Sequence, residues 1–243
     1  MFTKSRIHHF SQVMTMRSLD KYRNKDGKIF LNVGSSTRVV DGFVNLDNDM
    51  FLHFGGLLAQ FKGLLPKKYW ETIDMFQIAK RKALLIQYDC RKRLFFPDGV
   101  VDHILCSDFL DYVFPEEMEN ILKEFYRVSK GGATLHVVLP NLRVMAEEYL
   151  QRNKKGESLA ADWFLNATVL GRRSRGSILY RLIECLGFCG LQHRWYYDDL
   201  AIQQRLRDCG YEVLQANETP SKLYRLIDGP HSFHVVARKP CVQ

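Results

Sequence analysis

The stretch LNVGSSTRVVDGFVNLD, residues 31–47, decides the reading of this chain: two short apolar runs, a turn between them, and an acid at the end. The run Ile29–Val33 closes on Gly34, and the run Phe43–Leu46 closes on Asp47. Short apolar runs closed by turn signals are buried strands. Gly34 has no Cβ, so the chain can turn sharply there and a ligand can approach the backbone closely. Asp47 follows thirteen residues later at the tip of the neighbouring strand. A carboxylate at such a tip can accept hydrogen bonds from both hydroxyls of a ribose.

Outward from this pair the pattern repeats. Ala83–Tyr88 reads as a third strand, Val101–Cys106 as a fourth and Ala133–Leu139 as a fifth, with Tyr211–Gln215 and Phe233–Ala237 forming a final antiparallel edge pair. Between them lie segments of helical period. Pro115–Val128 has Pro at its start, Glu116, Glu117 and Glu119 early, Lys123 and Arg127 late, and Gly131-Gly132 to stop it. The residues Leu142, Met145, Ala146, Tyr149 and Leu150 continue a second helix, Asp198–Cys209 reads as a third, and 51–82 is an irregular, mostly helical zone. The expected fold is α/β: a Rossmann-like, mostly parallel sheet with an antiparallel last strand and an inserted helical cap. The expected organisation is a basic N-terminal segment (1–27), a cofactor-binding core (28–150), the cap (151–194) and a C-terminal part of the core sheet (195–243).

Composition narrows the partners. With 243 residues, 46% of them hydrophobic and 26% charged, the chain can bury a core without staples, which excludes collagen-like, disordered and disulfide-scaffold classes. Thirty-five Lys and Arg against 27 Asp and Glu leave +8, which favours anionic partners without choosing among them. Residues 1–30 hold seven of the bases against only Asp20 and Asp26, so a solvated leading segment carries part of that excess. Six cysteines without a C-x-x-C or metal-ligand spacing point to a reduced, cytoplasmic protein and to no metal site. The N-terminus lacks the apolar run of a secretory signal, and no apolar stretch is long enough to span a membrane. The cluster Arg172-Arg173-Ser174-Arg175 could bind an anionic acceptor or rest the cap on a membrane surface, although a solvated loop is the commoner use of such a run.

In an open parallel sheet the ligand lies beyond the carboxyl ends of the strands. The residues there are Gly34, Ser35 and Ser36 after the first strand, Asp47 after the second, Asp89 and Cys90 after the third, Ser107 after the fourth and Asn141 after the fifth. Taken together they resemble class I S-adenosylmethionine-dependent methyltransferases, especially the small bacterial methyltransferase type 11-like group. Residues 31–36 and 41–47 are similar to the group's L-N-L-G-C-G and G-(W/F)-(I/V)-N-(V/L)-D. Leu94–Asp102 resembles its L-P-F-P-D-x-x-F-D, Tyr126–Gly132 its Y-R-V-L-K-P-G-G, Leu139–Leu142 its V-P-D-L, and His193–Asp198 its H-(R/K)-W-x-Y-(D/T).

The resemblance implies S-adenosylmethionine as cofactor, Gly34, Ser35 and Ser36 near its methionine portion, Asp47 on the ribose, Asp89 and Cys90 at the adenine and Ser107 by the sulfonium. His193 is the candidate general base, since a neutral imidazole titrates near working pH. The acceptor so implied is a small molecule or a saccharide. Several residues depart from the group. Ser36 and Arg38 replace further glycines and should demand ordinary backbone geometry, Asp111-Tyr112 stands for Glu-His, and Asn141 stands for Asp. A non-catalytic binding protein on the same fold and an RNA methyltransferase are the alternatives, with nucleic acid the weaker partner because no RNP-like or zinc-finger pattern is present.

Overall fold

In the computed structural model, which describes residues 16–60, 63, 67–170, 193–216 and 231–241, the first two strands form where the apolar runs place them. β1 (Phe30–Val33) and β2 (Val44–Asp47) are parallel, with Val33 opposite Leu46. β3 (Leu85–Gln87), β4 (Val101–Ser107) and β5 (Ser129–Pro140) extend the parallel sheet. β6 (Glu212–Ala216) and β7 (Ser232–Arg238) complete seven strands in the order β3-β2-β1-β4-β5-β7-β6. The strand order steps outward in both directions from β1 and β4, which puts the crevice of a doubly wound sheet at their carboxyl ends.

The final pair is not wholly at the edge. β7 is inserted between β5 and β6 and runs antiparallel to both, so only β6 lies outermost. Burial explains the order: Phe233, His234, Val235 and Ala237 of β7 are buried, whereas Glu212 and Leu214 of β6 are exposed. β5 also begins earlier than its apolar run. The helix before it ends at Val128, where the extended Ser129 donates its hydroxyl to the Phe125 carbonyl at 2.7 Å. The strand then passes through Gly131-Gly132, and the Gly132 amide pairs with the Lys239 carbonyl at 2.8 Å.

The helices are α1 (Met50–Gln60), α2 (Trp70–Lys82), α3 (Pro115–Val128), α4 (Leu142–Lys154), α5 (Ala160–Ala167) and α6 (Asp199–Asp208). α3 buries Met118, Ile121, Leu122, Phe125 and Val128, the one-face spacing that its sequence carries. The Asn141 side chain accepts from the Arg143 amide at 3.1 Å and so caps α4, and Asp198 caps α6 through the Ala201 amide at 2.7 Å. A short 3-10 helix, Met16–Tyr22, brings the end of the basic leading segment into the core: Leu19 is fully buried, and Tyr22 packs on Phe95 and Phe96.

Two of the family-like motifs are halves of one contact. Arg127, in the Tyr126-Arg127-Val128 stretch, donates to the Leu94 and Phe96 carbonyls at 3.0 Å each, to Asp98 at 2.6 Å and to both Glu124 oxygens. The guanidinium fork thereby fastens the approach to β4 onto α3. Residues 171–192, which contain the arginine cluster and much of the expected cap, lie outside the described residues. No helix among those described is long and apolar enough to cross a membrane.

Candidate active site

The loop between β1 and β2 is held from below by two buried asparagines. Asn32 of β1 donates to the Asn45 side-chain oxygen at 2.8 Å and to the Arg38 carbonyl at 3.0 Å. Asn45 of β2 accepts from the Val40 amide at 2.8 Å and donates to the carbonyls of Val40, Phe43 and Leu84. Buried amides hydrogen-bonded to one another and to the loop backbone hold the loop in one conformation. Sequence reasoning treated these two residues only as motif letters. The signal available was an amide at an inward position of each of two neighbouring apolar strands.

On that base the turn takes its shape. The Gly34 and Ser35 amides both donate to the Leu46 carbonyl, at 2.9 and 3.1 Å. Gly34 has φ +68° and Ser36 has φ +46°. The expectation of ordinary backbone at Ser36 is therefore corrected: serine occupies the left-handed region here, held by its amide. That amide donates to Asp47 Oδ2 at 2.7 Å, while Asp47 Oδ1 accepts from the Asp49 amide at 2.8 Å. The carboxylate thus points into the turn, and beyond the amides it accepts from it keeps acceptor capacity for a ligand hydroxyl. Burial raises the Asp47 carboxyl, and the amides of Ser36, Asp49 and Asn48 pull it back. Asp49 is pushed up to about 6, by burial first and then by the neighbouring Asp47 charge.

The open side of Gly34 faces protein. A Cβ at residue 34 would lie 2.6 Å from the Phe109 Cβ and 2.9 Å from its ring. The glycine is needed for its positive φ and for the close approach of Phe109, which forms an aromatic wall beside the turn. Behind the turn Cys90 is buried. Burial, then the charges of Asp47 and Asp89, push its thiol well up, and the Gly34 backbone pulls it back. Gly34, Asp47, Asp89 and Cys90 therefore share one neighbourhood. Asp89 is engaged: Arg91 donates to both of its oxygens at 2.9 Å, and its carboxyl stays below the ordinary range because the Arg91 hydrogen bond outweighs burial when joined by the Arg91 and Lys92 charges.

At the end of β4, Ser107 is buried and Asp108 has φ +48°. Arg38, from the β1–β2 loop, donates to Asp108 at 2.7 Å and joins the two loops across the front of β1 and β4. A single 3-10 turn, Leu110–Tyr112, follows. His193 lies over it, with Nδ1 2.6 Å from the Tyr196 hydroxyl and Nε2 3.0 Å from the Tyr112 hydroxyl and 3.2 Å from Asp111 Oδ2. The backbone amides of Arg194 and Trp195 both donate to the Asp111 carbonyl, at 2.6 and 3.2 Å. Sequence reasoning singled out His193 and treated Tyr112 as a departure from the family; the structure puts the two side chains in contact. Among the described residues no group of His, Cys, Asp and Glu is arranged to hold a metal ion.

A family model described as a methyltransferase domain matches residues 71–137, the segment from α2 into β5. No curated protein matches the sequence. Among solved structures, an S-adenosylmethionine-dependent methyltransferase from Methanosarcina mazei superposes with a TM-score of 0.50 at 18% identity, covering 91% of this chain and 94% of that one. Another from Archaeoglobus fulgidus gives 0.49 at 14% identity, covering 92% and 91%. Over residues 71–137 the chain is thus similar to a methyltransferase domain, and its fold is that of a solved methyltransferase whose cofactor is S-adenosylmethionine.

The residues present suit that group. A sulfonium nucleoside needs paired acceptors for a ribose diol, a close-approach turn and an aromatic or apolar wall. The Asp47 lone pairs, the turn at 34–36 and Phe109 supply them.

Proposed function

We propose that this protein transfers a methyl group from S-adenosylmethionine to a small-molecule or saccharide-type acceptor by in-line displacement. When bound, the cofactor supplies a methyl carbon already attached to a good leaving group. The protein's own work is then to hold the nucleoside, orient the acceptor, exclude water and remove a proton. In this reading Asp47 holds the ribose, Gly34, Ser35 and Ser36 approach the methionine portion, Cys90 and the Arg91-paired Asp89 border the adenine, Ser107 lines the sulfonium wall and His193 is the base on which the acceptor proton finally rests. The observation that carries the reading is the 2.7 Å bond from the Ser36 amide to Asp47, which joins the turn and the acid into one concave surface.

For the acceptor, the supporting feature is Trp195. Trp195 is half exposed and its amide is tied to the Asp111 carbonyl, so an exposed aromatic residue follows His193 by two positions. An aromatic face next to hydrogen-bonding groups suits the C–H face and hydroxyls of a sugar. Isothermal titration with S-adenosylmethionine and S-adenosylhomocysteine tests the core of the proposal. Saturable heat with both is expected, and no heat at millimolar ligand would favour a binding protein that kept only the fold.

A further inference from the structure

The side chains between the turn after β4 and residue 196 form a chain of hydrogen bonds whose direction is fixed at one end. The Tyr196 hydroxyl lies 2.6 Å from the Thr168 carbonyl oxygen. A carbonyl only accepts, so the one proton of that tyrosine is committed there. The same hydroxyl oxygen lies 2.6 Å from Nδ1 of His193, and it can only accept from an Nδ1–H. A neutral imidazole protonated on Nδ1 carries its basic lone pair on Nε2. Tyr112 sits 3.0 Å from that nitrogen and donates its phenol proton to it. The order is thus Tyr112 to His193 to Tyr196 to the Thr168 carbonyl. Asp111 lies beside Nε2 at 3.2 Å, out of line for a hydrogen bond.

Both imidazole nitrogens are therefore in use, and the His193 side chain is only 9% exposed. Tyr112 is the half-buried outer member of the chain. Its amide donates to the Phe109 carbonyl at 3.0 Å, and Phe109 is the side chain packed against Gly34. Resting on the methyltransferase reading, we propose that Tyr112 is the catalytic residue that meets an acceptor hydroxyl, and that His193 is a positioning residue that acts through it.

The proton balance closes. As the acceptor oxygen bonds to the methyl carbon, the carbon–sulfur electron pair leaves on sulfur. The acceptor proton passes to the Tyr112 oxygen, and the phenol proton passes to His193 Nε2. The positive charge of the sulfonium ends on the imidazolium, beside Asp111. Among the described residues the charge that acts on the ring is that of Asp108, which is paired with Arg38, and the buried Asp111 carboxyl lies 3.2 Å from Nε2. Burial holds the imidazole below its ordinary value, with Asp108 pulling it back up, and burial pushes the Asp111 carboxyl up to about 8. Tyr112 is pushed up to about 12, by burial first and then by Asp111 and Asp108, so an isolated phenol there would be inert at neutral pH.

The test uses N-acetylimidazole on the full-length protein, with acetylated tyrosines mapped by mass spectrometry. Tyr112 is expected to be acetylated at neutral pH, at a rate that falls as acid protonates His193. The rate is expected to fall at least ten-fold in His193→Gln relative to the other labelled tyrosines. Labelling of Tyr112 that is absent in the wild type, or unchanged in His193→Gln, would overturn the proposal. A second measurement does not depend on that variant folding: imidazole nitrogen shifts of wild-type protein at pH 7 should show His193 protonated on Nδ1 and bare on Nε2. The opposite tautomer would overturn it equally. Calorimetry with S-adenosylmethionine separates the two levels. Cofactor heat without His193-dependent labelling rejects the relay alone, whereas the relay without cofactor heat rejects the methyltransferase reading and with it the role of Tyr112.

Discussion

Gly34 shows at the scale of one residue why a motif letter and its cause can differ. The sequence read it as a place for a ligand to approach the backbone. In the structure the closest approach on its Cβ side is that of Phe109, and φ is +68°. Gly34→Ala is expected to destabilise the protein by at least about 1–2 kcal/mol from the left-handed backbone alone, with the Phe109 clash adding to it. Denaturant titration measures this, and an unchanged midpoint would show that the turn can relax. Asp47 was legible because its position at a strand tip is a matter of spacing. The left-handed Ser36 was not, since serine rarely adopts that region and only the Asp47 carboxylate holding its amide accounts for it. Tyr112 and Tyr196 were equally hidden: their importance lies in contacts to His193 across 81 and 3 residues of sequence, which no periodicity encodes.

At the scale of elements, α3 was readable to its end residues because Pro115, the early acids and the apolar spacing are local signals. β5 and β7 were less so. The sheet carries β5 back through Gly131-Gly132 by pairing with the chain beyond β7, and β7 is buried because it lies between β5 and β6, although β6 comes first in the chain. What binds these elements at the amino end of β4, opposite the site, is illustrated by Arg127. Three of its five donated bonds connect α3 to the segment Leu94–Asp98, the other two hold Glu124 of the same helix, and Glu124 in turn accepts from the Leu94 amide at 3.0 Å. Arg127→Ala takes the guanidinium donor from the Leu94 and Phe96 carbonyls and leaves Glu124 with only the Leu94 amide, a loss on the order of 2–4 kcal/mol. Arg127→Lys should recover only part of it, because an ammonium cannot present the planar fork. Equal stabilities for Arg127→Lys and wild type in thermal melts would show that the fork geometry is not what matters.

Across the whole molecule, several buried groups shape the pH response, among them His103 and Asp111. Burial lowers His103 to about 4, and burial raises Asp111 to about 8. For His103 the unfolded chain binds more protons below its ordinary value of 6.5, so its contribution to stability falls as pH drops from there toward 4. For Asp111 the folded chain binds more protons between 3.8 and 8, so stability falls as pH rises through that window. The two oppose each other in acid, and above pH 6.5 the His103 contribution no longer changes while that of Asp111 still falls. Wild-type protein is expected to lose on the order of 1–2 kcal/mol between pH 6.5 and 8. Asp111→Asn removes that loss, and parallel slopes for the two proteins would contradict the assignment. The fold class itself was legible because alternating strand and helix signals span most of the chain. The site was legible only where strand ends fix it, and the acceptor side, which depends on a segment returning to β4, was not.

The nucleoside pocket is the claim on which the function depends, and S-adenosylhomocysteine affinity compared between wild type and Asp47→Ala probes it most directly. The ribose contact predicts a loss on the order of 2–3 kcal/mol for the variant, with its fold retained by circular dichroism. Equal affinities in the two proteins would mean that the acid at the tip of β2 does not hold the ribose, and that the turn and the acid are not two walls of one binding site.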